Sequence, residues 1–181
     1  MADLERALHA TTTIVAGVPD DRRDAPSPCA DWTVAAVVEH VIRGNHGVAA
    51  ALGDPAAGDR PDDPLADRFR ASSTRAVTAF AAPGALAGTV TVPFGTIPVP
   101  VAVGLRTVEA LVHGWDVAVA SGQDTAVLPD DLAESGIAFT ESMFATADRA
   151  RLPFAPAVPV DPASPAIDRL AGLLGRTDPR G

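Results

Sequence analysis

Apolar residues recur at helical spacing through most of this chain, and proline- and glycine-rich breaks separate the recurrences. This pattern constrains the fold more than any other feature. A period near 3.6 residues lines one face of a helix with hydrophobic side chains, and that face must be buried against other elements. Leu4, Leu8, Thr11 or Thr12 and Val15 mark a first helix over residues 2–17. Asp31-Trp32-Thr33 opens a second, since Asp31 or Thr33 can accept a hydrogen bond from the free N–H groups of a first turn. Val34, Val37, Val38, Val41 and Ile42 then continue one stripe to about Leu52. A third helix covers 63–82, with Leu65, Phe69, Val77 and Phe80 as its buried face. The fourth, 102–121, stops at Ser121-Gly122 as a C-cap should. A fifth starts after Pro129, with Asp130 and Asp131 favourable at its N-terminus, and runs to about Ala150. A short last helix, 165–175, ends at Gly175.

Between the third and fourth helices the pattern changes. Residues 88–101, GTVTVPFGTIPVPV, alternate β-branched residues with small, polar or proline positions around Phe94-Gly95. That predicts a short β-hairpin or two extended arms, confined to an edge because Pro93, Pro98 and Pro100 cannot donate to a ladder. The expected fold is all-α, a bundle of four long helices with small additions. A chain of 181 residues, 47% of them hydrophobic, suits one domain over 1–181 with a core of its own.

Charge narrows the partners. All fourteen basic residues are arginine, the formal net charge is −9, and no run of arginines breaks the acidic balance, so duplex nucleic acid and anionic membranes are repelled. The single cysteine, Cys29, excludes an intramolecular disulfide framework. The first residues, MADLERALHA, lack the apolar stretch of a signal peptide, and no run reaches the roughly 18 apolar residues of a membrane span. The expected location is the cytoplasm.

Two of the four histidines, His40 and His113, sit inside strongly apolar helix stretches. Glu109 and His113 are four residues apart, which puts both on one face of the fourth helix, within reach of one metal ion. His40 lies on the apolar side of the second helix beside Val37 and Val41 and can supply a third ligand if the two helices pack. Two imidazoles and a carboxylate leave a coordination position open, as reactive sites do. The same residues also suit a hydrogen-bonded core histidine and an ordinary i,i+4 pair. Asp116, one turn beyond His113, can orient a ligand or be an exposed carboxylate near the helix end. Arg106, one turn before Glu109, can bind a substrate carboxylate or pair with Glu109. Cys29 precedes a helix start, where a thiolate would be stabilised, but with no histidine near it in sequence it reads rather as a buried, inert thiol. His46 lies about 120° off the face of His40, His9 reads as partly exposed, and Trp32 and Trp115 read as core.

Two segments resemble a known family. SPCADWTVAAVVEHVIRGN (27–45) and RTVEALVHGWDVAVASG (106–122) look like the two helix signatures of the mycothiol-dependent maleylpyruvate isomerase family. The ending PVDPASPAIDRLAGLLGR (159–176) resembles the short, single-domain, metal-binding branch of that group, which lies within the DinB/YfiT-like superfamily of antiparallel four-helix bundles. The resemblance implies a metal triad on His40, Glu109 and His113, zinc as the metal, and mycothiol as the thiol co-substrate. It implies an enzyme in which the metal activates a low-molecular-weight thiol for transfer to, or isomerisation of, a small electrophile. It assigns no further catalytic residue, leaving Arg106 and Asp116 as the weaker candidates. The expected partners are a small-molecule thiol and a small electrophile, with a homodimer as the candidate assembly. The competing functional classes are a non-catalytic metal or small-ligand binding module and a metal-assisted hydrolase.

Overall fold

The computed structural model describes residues 1–54, 60–92, 95–146 and 155–180. The chain is mostly helical, 64% of it, with one small antiparallel sheet among the described residues. Helix α1 (Ala2–Ala16) buries Leu4, Ala7, Leu8, Thr11, Ile14 and Val15, the stripe its sequence period requires. Helix α2 (Val34–Ala51) begins where Thr33 accepts a hydrogen bond from the Ala36 amide at 3.2 Å. Thr33 is therefore the cap, and Asp31, the other candidate, sits outside the helix at φ 66°. Helix α3 (Leu65–Phe80) buries Phe69 and Phe80 together with Ser72, Ser73 and Ala76, whereas Leu65 and Val77 are half-buried.

Strands β1 (Thr89–Val92) and β2 (Gly95–Pro98) form the expected hairpin, pairing Thr89 with Pro98 and Val90 with Ile97. The extended stretch is shorter than the 88–101 read from the sequence. Helix α4 (Val99–Ser121) already begins at Val99, and Pro100 falls in its first turn, where the missing N–H would have had no partner in any case. Gly122 closes α4 in the left-handed conformation at φ 75°. Helices α5 (Asp130–Thr146) and α6 (Ala166–Leu173) follow. The expected continuation of α5 to Ala150 lies outside the described residues.

Helix α4 is the hub. Helices α1 and α2 each pack on both α3 and α4, and α5 and α6 pack on each other and on α4. From Val108 to Val119, α4 is buried on nearly all sides, only Glu109 remaining partly open. One core runs through every element, from Leu4 and Ile14 through Val37, Phe69 and Leu111 to Ile167 and Leu170. No helix among the described residues is long and apolar enough to cross a membrane.

The α1–α4 crossing is close enough to need glycine. The Thr11 hydroxyl lies 2.8 Å from Ala110 O on α4 and 3.0 Å from its own Ala7 O, and donates between them. A Cβ on Gly114 would fall 2.8 Å from that hydroxyl and 3.0 Å from Leu128 Cδ2. Gly→Ala inside a helix ordinarily stabilises by about 1 kcal/mol through propensity. Here overpacking, typically about 1–3 kcal/mol, opposes that gain against a short, twice-engaged side chain. Gly114→Ala is expected to lower the urea midpoint, and a raised midpoint would show that the crossing can relax.

Candidate metal centre

The polar residues of α4 face two sets of partners. Arg106 is 5% exposed and reaches across to α2, where Nη2 donates to Val41 O at 3.2 Å and to Asn45 Oδ1 at 2.9 Å. Asn45 in turn donates to Ser72 Oγ on α3 at 3.2 Å. Nη1 of Arg106 pairs with Glu109 Oε2. One Glu109 oxygen is thus held by a guanidinium anchored on α2, and the other, Oε1, lies 4.0 Å from His40 Nε2.

One turn further along, His113 Nδ1 lies 3.0 Å from Asp116 Oδ2. Asp116 has no exposed surface. A carboxylate only accepts, so Nδ1 carries the proton, and in the neutral ring Nε2 keeps the lone pair. Arg176, just beyond α6, donates to both Asp116 oxygens, Nε to Oδ1 at 3.3 Å and Nη2 to Oδ2 at 3.2 Å. The same Nη2 lies 3.4 Å from Cys29 Sγ. Burial pushes the Cys29 thiol up, against the opposing pull of Arg176.

Three rings close the other side. Trp32 lies against His40 with centroids 4.6 Å apart and stacks on His113 at 6.1 Å, while His40 and His113 meet near edge-on at 5.0 Å. This crowding removes water from His40. Desolvation first, then the neighbouring His113, lower its pKa from 6.5 to about 4 against the opposing charge of Glu109. At neutral pH His40 therefore presents an unprotonated nitrogen.

His40 thus lies near both Glu109 and His113, but the set of possible ligand atoms that falls together among the described residues is a different one. Cys29, His113 and Asp116 each offer an atom within 4.8 Å of the others. The sequence reading of Asp116 as an exposed carboxylate is corrected, because it is fully buried and paired with Arg176. Arg106 takes the second of its two readings and pairs with Glu109. Trp32, read as core, is half-buried and lines the histidines. Cys29 is half-buried as well, and it does have a histidine near it, across the fold. Arg176 was missed altogether, since nothing in the sequence around it signals a partner sixty residues away. His46 turns toward α3, where Arg75 Nη1 donates to its Nδ1 at 3.0 Å, and His9 is exposed.

Residues 4–118 match the family model described as the mycothiol maleylpyruvate isomerase N-terminal domain. Two relatives from Mycobacterium tuberculosis, uncharacterized protein MT0763 of strain CDC 1551 / Oshkosh and uncharacterized protein Rv0738 of strain ATCC 25618, are each 36% identical over 174 residues. The match spans 96% of this chain and 95% of each relative. No solved structure matches the chain.

The depressed pKa of His40 has a consequence for stability. The unfolded chain takes up a proton near pH 6.5, and the folded protein resists doing so until about pH 4. The contribution of His40 is therefore fully present above about pH 6.5 and is lost progressively as the pH falls toward about 4. Denaturation of the metal-free protein across this window should show falling stability, and His40→Gln should flatten part of the fall. Parallel curves for parent and variant would count against this origin.

Proposed function

The chain belongs to the mycothiol maleylpyruvate isomerase N-terminal domain family, and on that premise we propose that His40, Glu109 and His113 hold one divalent metal ion, zinc by the donor set, at a site that activates a low-molecular-weight thiol such as mycothiol. The activated thiol serves transfer to, or isomerisation of, a small electrophilic substrate. The supporting fold is the antiparallel four-helix bundle of α1–α4, a reading supported by the way those helices pack on one another. The continuous core supports one domain over 1–181.

The observation that carries this reading is the pairing of His113 Nδ1 with the buried Asp116. Metal-bound histidines characteristically donate their second ring N–H to a carboxylate, which fixes the tautomer and frees the other nitrogen. Glu109 has a parallel arrangement. Arg106 occupies Oε2 and leaves Oε1 toward His40. Two imidazoles and one carboxylate leave a position for a thiol. An ion held there supplies the positive charge that stabilises a thiolate near neutral pH. The chain's own residues orient the three ligands from behind, and Trp32 limits the water that reaches the two histidines.

The set Cys29, His113 and Asp116 is closer in distance but poorer in charge. Arg176 already donates to both Asp116 oxygens and to Cys29 Sγ. A cation placed there would sit beside a fixed positive charge, and two like unit charges about 4 Å apart repel by about 4 kcal/mol at an effective dielectric constant of about 20. His113 would also have to give up the proton it donates to Asp116.

The test is metal analysis of purified protein and calorimetric titration with mycothiol and other thiols. His113→Ala should lose zinc and mycothiol binding together while circular dichroism shows an intact helical fold, since alanine is the best helix former. His46→Ala should lose neither. Unchanged mycothiol binding by His113→Ala would overturn the thiol reading. Zinc uptake by the parent without thiol binding would make the chain a metal-binding module or a hydrolase.

A further inference from the structure

We propose that Arg176 is a positioning residue for the metal centre, acting through Asp116 to fix the ring of His113; the metal part of this inference rests on the function proposed above. Arg176 lies outside residues 4–118, so the centre would draw on a part of the chain beyond the matched region.

The geometry is that of a relay. Asp116 Oδ2 accepts from both His113 Nδ1 at 3.0 Å and Arg176 Nη2 at 3.2 Å, and Oδ1 accepts from Arg176 Nε at 3.3 Å. The arginine side chain is only 10% exposed and the carboxylate not at all. A buried carboxylate without a cationic partner is costly, and it has no fixed rotamer with which to aim an acceptor at Nδ1. The two-pronged guanidinium supplies both the charge and the plane, which the point charge of a lysine does not.

The backbone is built to deliver this side chain. Helix α6 ends with Gly175 N donating to Gly172 O at 2.9 Å and Arg176 N to Ala171 O at 3.0 Å. Gly175 adopts φ 82°, and a Cβ there would fall 2.5 Å from that of Ala155. The guanidinium is steadied further by Nη1 donating to Leu174 O at 3.0 Å. At its other end α6 is tied to α4 by Trp115 Nε1 donating to Asp168 Oδ1 at 2.7 Å. It is tied to α5 by Ile167 N donating to Asp130 Oδ1 at 3.2 Å. Arg176 therefore returns to the same helix that carries His113.

The experiment has two readouts on full-length protein. The first is the His113 tautomer in metal-free protein, read by long-range proton–nitrogen NMR. The second is zinc affinity by chelator competition. The parent should show a single Nδ1–H tautomer. Arg176→Met should show a mixture and bind zinc about 10–100-fold more weakly, the usual cost of losing an outer partner of a ligand. Arg176→Lys should fall between, and it serves if Arg176→Met does not fold. Asp116→Asn combined with Arg176→Met should lose no more zinc affinity than Asp116→Asn alone, because Arg176 acts through Asp116. A folded Arg176→Met with parental tautomer and zinc affinity, or additive losses in the double variant, would overturn the proposal and leave Arg176 as a staple for the C-terminal segment. If the parent takes up no zinc, the metal reading fails, while the tautomer comparison still decides the role of Arg176.

Discussion

Helix α4 carries four ionisable side chains, Arg106, Glu109, His113 and Asp116, spaced three, four and three residues apart. They form one stripe along a helix that α1, α2, α5 and α6 enclose. Charges placed there lose most of their hydration, and removing one partner of a buried pair typically costs about 3–5 kcal/mol. Each therefore has a counterpart, and the counterparts define the surroundings. Arg106 requires the Val41 carbonyl and Asn45 from α2. Asp116 requires Arg176 from beyond α6. The helix packing and the polar pairing are thus one solution to one problem.

The pairing also assigns directions. At the Arg106 end the guanidinium holds one oxygen of Glu109 and turns the other toward α2. At the Asp116 end the carboxylate takes one nitrogen of His113 and leaves the second. Between the two ends, His40 arrives from α2, its Nε2 4.0 Å from Glu109 Oε1 and its ring 5.0 Å from that of His113.

Much of this was legible in the sequence, for a physical reason. The helices follow from apolar spacing, and His40, Glu109 and His113 stand out because ionisable residues amid Val, Leu and Ala need an explanation. The start of α4 was less legible, because Pro98, Val99, Pro100 and Val101 read equally well as extended chain. Of the two readings of Asp116 the exposed one fails, because a carboxylate in the last two turns of a helix is usually solvated, whereas this one is buried and paired with Arg176. Cys29 and Arg176 meet across 147 residues of chain. No local period or spacing encodes such a contact, which is created when the C-terminal segment folds back on α4.

The chain has two tryptophans and no tyrosine, so its near-ultraviolet emission comes from two rings in contrasting surroundings. Trp115 is 2% exposed, its indole N–H tied to Asp168. Trp32 lies 4.6 Å from the His40 ring and 6.1 Å from that of His113. One fluorophore thus sits within the core and the other against the two imidazoles. A change at either imidazole would therefore reach the emission of Trp32 before that of Trp115, an optical contrast built into the protein without a label.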